Sequence, residues 1–349
     1  MRFVYSLAQI PVIVIFVLFP GTVCWSGQAS PQLASADPHR AGEVEDWSSL
    51  SLTNSHLHAE RPILGEKDDD PQFTRELLQM KWRPGDPIDL YVIKPKGVNK
   101  PPVVLYLYGY PSETDRFRDN RYCARITSGG FAAIGFVSAL TGQRYQNRPM
   151  KQWFVSELQE SLGSSVHDVQ MVLNYLASRD DLDLSRVGIF GEGSGGTIAI
   201  LAAAADARIK AIDVLDPWGD WPDWMTGSKL IPEDERPNYE KAEFLKKVAP
   251  LDPVLWLPQL HSQHIRIQQL IDDPMTPKAA QERIDSVAPA SAQLLRYEGN
   301  LQLYAASSGG RLFQWIKNQL RSGKELQPAA ASLEKSQSPE KQGLSAHPQ

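Results

Sequence analysis

The sequence predicts an α/β fold built on a mainly parallel, doubly wound sheet, and three observations carry that expectation. From Pro102 onward, apolar runs of strand length alternate with helical patterns, as in chains of βαβ units. Val103-Val104-Leu105-Tyr106-Leu107 is apolar throughout, the pattern of a strand covered on both faces. Val187-Gly188-Ile189-Phe190 stops abruptly in Gly191-Glu192-Gly193-Ser194-Gly195-Gly196 and is followed by the apolar stretch Thr197–Ala205, so a strand turns sharply into a helix.

The chain before the sheet is of a different kind. Met1–Phe19 carries one Arg and then the apolar run Ile10–Phe19, which reads as a secretory signal with Gly27-Gln28-Ala29 as its small-residue cleavage site. Residues 1–29 are thus a signal peptide, implying a secreted or periplasmic protein, or an uncleaved membrane anchor. Residues 30–70 are rich in Ser, Ala, His, Pro and charge and read as a disordered linker. Residues 71–322 form the folded domain, and the polar stretch 323–349 is read as a disordered tail.

Within the domain, Leu77–Trp82 and Ile88–Ile93 alternate in hydrophobicity around Arg83-Pro84-Gly85-Asp86-Pro87, which predicts a hairpin. Arg116–Ser128 is helix-like and Phe131–Val137 a buried strand. Ser161–Arg179 is the clearest helix, with Leu162, Val166, Val169, Val172, Leu173 and Leu176 on one stripe. Ile209–Leu215 is a further strand. A lid-like insertion over about 217–260 follows, with Trp218, Trp221, Trp224, Tyr239 and Trp256 among many prolines. The strand Ile265–Ile271, the loop Asp272-Asp273-Pro274, a helix to about Val287, the strand Ala292–Tyr297 and the helix Leu312–Leu320 complete the domain.

Composition limits the functional classes. The chain has 349 residues, 42% of them hydrophobic, enough for one large core. With a net charge of −5 and no basic run, nucleic acid is excluded as a partner. Cys24 and Cys123 are the only cysteines, too few for a disulfide framework or a cysteine-based zinc site, and no cofactor is called for. His56 and His58 have a spacing that suits a metal on a strand, but no patterned partner accompanies them, so no metal site is assigned.

The glycine turn admits two registers. With Ser194 at its apex, the bulky Glu192 stands where a small residue is wanted. With Gly193 at the apex, Gly191 and Gly195 flank it, and both steric demands of a tight strand-to-helix crossing are met. A phosphate-binding loop is the third possibility, but the Lys-Ser/Thr ending is absent.

Together, the entry hairpin, the strand ending in Tyr108-Gly109, the unit Val166–Phe190, the glycine elbow and the Asp272-Asp273-Pro274 loop resemble the α/β-hydrolase superfamily, nearest to dienelactone-hydrolase-like and prolyl-oligopeptidase-like members. The resemblance spans about Leu77–Leu320 and implies catalysis by a Ser-His-Asp triad whose members follow in the chain order Ser, Asp, His. It puts Asp273 in the acid position and Gly193 in the nucleophile position of the favoured register. The histidine belongs just after the last strand, where the chain reads Tyr297-Glu298-Gly299-Asn300-Leu301 and has none. His261 and His264 precede the strand leading to Asp273, at the wrong end of a parallel sheet. Tyr108-Gly109-Tyr110 and the Ser194 N–H are implied as oxyanion donors, which need only backbone.

Two functions follow as expectations. The first is a protein of the ester and peptide hydrolase lineage without standard catalysis. It binds a small carbonyl-bearing or anionic ligand (ester, acyl or peptide) through Tyr108, Gly109, Tyr110, Glu192, Gly193 and Trp218. The second is an active hydrolase with Ser194 as nucleophile, Asp273 as acid, and Glu192, Asp216, Asp220 or a displaced histidine as base. Contact with a membrane is expected only through an uncleaved N-terminal segment.

Overall fold

The computed structural model describes residues 45–83, 85–110, 114–140, 154–260 and 263–321. The expected signal, the first part of the linker, His261, and the tail with His347 lie outside these residues.

A nine-stranded sheet organises the chain. Its strands are β1 (Ile63–Asp69), β2 (Phe73–Met80), β3 (Ile88–Pro95), β4 (Pro102–Leu107), β5 (Ala132–Phe136), β6 (Asp183–Glu192), β7 (Ile209–Leu215), β8 (His264–Leu270) and β9 (Gln293–Tyr297). They lie in the order β1-β2-β3-β5-β4-β6-β7-β8-β9. The first three pair antiparallel with their neighbours, and β3 also meets β5 antiparallel. From β5 across to β9 every pairing is parallel. Every residue of β4 and β5 is buried, as unbroken apolar runs require in a sheet covered on both faces.

Two helical layers provide that cover. Helices α2 (Leu158–Ala177) and α3 (Ser194–Ala205) pack over one core, and α1 (Asn120–Thr127) and α10 (Gln314–Leu320) over the other. The insertion after β7 holds α4 (Trp221–Gly227), α5 (Arg236–Tyr239), α6 (Ala242–Val248) and α7 (Pro253–Trp256), and packs on α2, α3 and α8 (Lys278–Val287). After β9 comes α9 (Asn300–Ser307), where no helix was read from the sequence. None of its residues is buried, so no apolar stripe marks it.

One expectation needs correcting. The second half of the stretch read as linker is built into the domain. Ile63–Asp69 is the edge strand β1, and Leu50, 5% exposed, enters the core. The strand escaped notice because six of its seven residues face solvent, which removes the alternation that reveals a strand.

Among the described residues no helix is long and apolar enough to cross a membrane.

Candidate functional site

The strand order reverses around β4, so the C-terminal ends of β4, β6, β7 and β8 meet where open α/β sheets place ligands. At the end of β6 the backbone turns at Gly193, with φ 55° and ψ −122°, and α3 starts at Ser194. The turn is crowded on both sides. A Cβ at Gly191 would lie 2.3 Å from the Gly195 carbonyl oxygen, and one at Gly195 would lie 2.2 Å from that of Leu107. Gly193 is therefore the apex, and Gly191 and Gly195 are the small flanks that let strand, helix and β4 approach.

A side chain at the apex would project toward Trp218, whose Nε1 lies 3.5 Å from the Cβ position of residue 193. The Trp218 indole is 1% exposed and stacks on Phe154 at 5.8 Å, while Trp224 sits 5.0 Å away and Tyr110 meets Phe154 at 4.7 Å. Trp218, Trp221 and Trp224 are all buried core residues that pack above the elbow.

Ser194 is also fully buried. Its Oγ accepts the Tyr110 N–H at 3.0 Å. Gly109 runs against the elbow, its Cβ position 3.0 Å from the Glu192 carbonyl oxygen. The backbone donor that the resemblance assigns to a substrate oxygen thus already meets a hydroxyl of the protein's own chain. The Tyr108 side chain leaves the site altogether. It is buried beside Phe117, Phe190 and Tyr122, its hydroxyl contacts that of Tyr122, and burial raises its ionisation well above the usual phenol range. Arg116 lies 4.0 Å over the Tyr108 ring and pairs with Glu192 at 3.5 Å.

Three carboxylates share this end of the sheet. Asp273 is folded onto its own loop, accepting the backbone N–H groups of Met275 at 3.3 Å and Thr276 at 2.9 Å. Asp216 follows β7 in a left-handed conformation (φ 48°), and its Oδ1 accepts the Leu270 N–H at 2.6 Å. Burial pushes the Asp216 carboxyl up to about 7, and the charges of Asp273 and Glu192 push the same way. Asp220, also left-handed, is raised to about 6 by burial and by Asp223 and Asp252. Sequence reasoning reached Asp216 and Asp220 only as substitute bases. Their positive φ, unusual for a non-glycine residue, leaves no mark in the sequence beyond residue type, since Asp tolerates this conformation.

No described histidine reaches this cluster. His264 opens β8 at the opposite end of the sheet and is exposed. His167 is buried on α2 against Glu45 and Ser49. After Tyr297 the chain passes through Glu298 and Gly299 into α9. Among the described residues no group of three His, Cys, Asp or Glu side chains is placed to hold a metal ion.

Residues 88–219 match the model of the dienelactone hydrolase family, a span running from β3 through the elbow to Trp218 and Gly219. No curated protein matches the sequence. Among solved structures, the chain is similar to an acetyl xylan esterase from Paenibacillus sp. R4, with a TM-score of 0.58 and 18% identity over 75% of this chain and 89% of the esterase. Acetyl xylan esterase 1 from Thermoanaerobacterium sp. JW/SL YS485 gives 0.57 and 15% identity over 73% and 87%. An acylaminoacyl peptidase from Pyrococcus horikoshii gives 0.51 and 12% identity over 74% of this chain and 48% of the peptidase. At these identities the likeness establishes the fold, and the fold is that of the α/β-hydrolases.

Proposed function

Given an α/β-hydrolase fold with glycine at the apex of its elbow, we propose that this protein descends from the ester and peptide hydrolases and has lost Ser-His-Asp catalysis. The observation that carries the reading is Gly193 at φ 55° and ψ −122°, which puts a residue without a side chain at the apex of the elbow. The nucleophile's place has no hydroxyl, and a side chain there would make ordinary contact with Trp218. The lack of a histidine directly after β9, where the only later one is His347 outside the described residues, supports the same conclusion independently, because the acid at Asp273 then has no imidazole in the family's position to orient.

Removing the nucleophile or the histidine from a serine hydrolase costs about 10⁶ in turnover, which leaves at most the contribution of binding and oxyanion stabilisation. Here the second contribution is reduced too, since Ser194 Oγ takes the Tyr110 N–H. The role left to the fold is binding. The class of ligand is a small ester, acyl or peptide molecule with a carbonyl or anionic oxygen able to displace the Ser194 hydroxyl from that donor. The similar solved structures include esterases and a peptidase, and this supports the ligand class.

The test is a fluorophosphonate probe applied to folded protein, alongside hydrolysis of p-nitrophenyl acetate. We expect no labelling and no esterase turnover above the slow background of a polar protein surface. Covalent labelling of Ser194 with ordinary turnover would overturn the reading in favour of an active hydrolase with Asp216 or Glu192 as base.

Export through the N-terminal apolar stretch is part of the same proposal and rests on the pattern of Met1–Phe19. A mature N-terminus near Ser30 in mass spectra of protein recovered outside the cytoplasm is the expected result. An intact Met1 in membrane fractions would instead indicate an anchor.

A further inference from the structure

The segment Glu45–Leu57 crosses the outer side of α2 and is fastened there by groups far away in sequence. Leu50 is buried in the core. The Leu52 N–H donates to Gln170 Oε1 at 3.0 Å, and Gln170 Nε2 donates to the Leu50 carbonyl at 2.7 Å. The strap lies so close to the helix that a Cβ at Gly163 would come within 2.5 Å of the Trp47 carbonyl oxygen.

At the centre of the contact is His167, 1% exposed. Its Nδ1 lies 2.6 Å from Glu45 Oε1 and its Nε2 lies 2.8 Å from the Ser49 carbonyl oxygen. A carbonyl oxygen only accepts, and so does an ionised carboxylate. Burial alone would raise the Glu45 carboxyl, but hydrogen bonds from His167 and Arg83 outweigh it and hold the group at about 2, so it is ionised. Both ring nitrogens therefore face acceptors and both must donate, which only the imidazolium can do.

Charged groups surround the ring on the strap, the turn before β3 and α2. On the strap, Glu45 meets the ring directly, and the exposed Asp46, whose carboxylate accepts from Ser48, interacts with it only electrostatically. From the turn before β3 come Arg83 and Asp86, and from α2 itself Asp168. Arg83 bonds Glu45 at 2.5 and 2.9 Å, Asp168 at 2.8 Å and Asp86 at 3.2 Å, and Trp82 Nε1 donates to Asp168 at 2.9 Å. Two buried carboxylates, Asp86 and Asp168, and the half-buried Glu45 thus meet one guanidinium, and the imidazolium supplies the second positive charge. Without its proton, one of the two short contacts would set a ring lone pair against an oxygen lone pair in a water-poor site.

We propose that Glu45–Leu57 is a proton-gated clasp, docked on α2 while His167 is an imidazolium and released when the ring becomes neutral. The strap continues through His58–Leu64, which forms one wall of a cavity of about 830 Å³ whose other walls include Leu78, Met171, Tyr175 and Arg179. That wall is held separately, by the Glu60 N–H donating to the Lys81 carbonyl at 2.8 Å and by the pairing of Ile63 and Leu64 with β2, and no elbow residue lines the cavity.

The test combines nitrogen-15 NMR of the His167 ring with amide hydrogen exchange of the strap, at about pH 5.5 and about pH 8.5. At the lower pH we expect both ring nitrogens protonated and the Leu52 amide protected. At the higher pH we expect strap protection, corrected for intrinsic exchange, to fall about tenfold or more relative to β4 and β6. In His167→Gln, strap protection should be low and equal at both pH values. A neutral ring at the lower pH with the strap still protected, or equal strap protection at both pH values in the natural protein, would overturn the proposal. The natural protein decides the matter even if the variant does not fold.

Discussion

The Tyr110 N–H donates to Ser194 Oγ across 3.0 Å, tying the end of β4 to the first turn of α3. This one bond turns a serine beside an elbow into a structural group. It links the loop after β4 to the helix dipole end and fills the donor that would face a substrate's oxygen.

Ser194→Ala removes the acceptor and leaves the Tyr110 N–H without it in a largely closed site. The expected loss is about 1–3 kcal/mol of stability, read by urea unfolding. Ester hydrolysis should not change, because the hydroxyl has no base. A stability loss confined to a few tenths would mean that water replaces the serine.

Gly193→Ser restores the nucleophile's side chain but not its chemistry. A non-glycine residue at φ 55° and ψ −122° is strained by about 1–3 kcal/mol, and the new side chain would pack against Trp218. We expect a lowered unfolding midpoint and no burst of p-nitrophenol from p-nitrophenyl acetate. Appearance of a burst would show that a base is within reach after all.

The flanking glycines should be far less tolerant than glycines elsewhere. In Gly195→Ala the methyl would meet the Leu107 carbonyl oxygen at 2.2 Å, a backbone atom that cannot swing aside, so the cost is expected to reach about 3 kcal/mol or more. Gly299→Ala has open space and an extended backbone and should change stability by less than about 0.5 kcal/mol. Thermal melts of the two variants side by side check the contrast.

Asp216 sets a pH dependence of definite sign. Its carboxyl is raised to about 7 in the folded protein, against about 3.9 in an unfolded chain. Between these values the folded state holds a proton that the unfolded state has lost, so this group lowers stability progressively as pH rises from about 4 to 7. Asp216→Asn keeps an oxygen for the Leu270 N–H and suits the left-handed backbone. It should therefore stabilise the protein by about 1–3 kcal/mol at pH 8, with no gain at pH 4. Chemical denaturation at the two pH values measures it, and an equal effect at both would remove the electrostatic explanation.

Most of the sheet was legible without coordinates, and the reason is local. Val103–Leu107 is apolar at every position, and Gly191, Gly193 and Gly195 alternate at the spacing a crowded turn needs, so composition and spacing alone determined a parallel sheet with an elbow at its end. The lack of a histidine directly after Tyr297 was likewise plain from residue type. What the tertiary structure decided was everything that depends on neighbours distant in the chain. It buried Trp218 beside Gly193, packed between Phe154 and Trp224. It gave the Ser194 hydroxyl to Tyr110, and it desolvated Asp216 beside Asp273 and Glu192. It also turned half of a polar linker into an edge strand and a strap around His167. Periodicity records how one segment meets solvent, whereas a hydrogen-bond partner or a shifted carboxyl is a property of the groups that the fold brings against it.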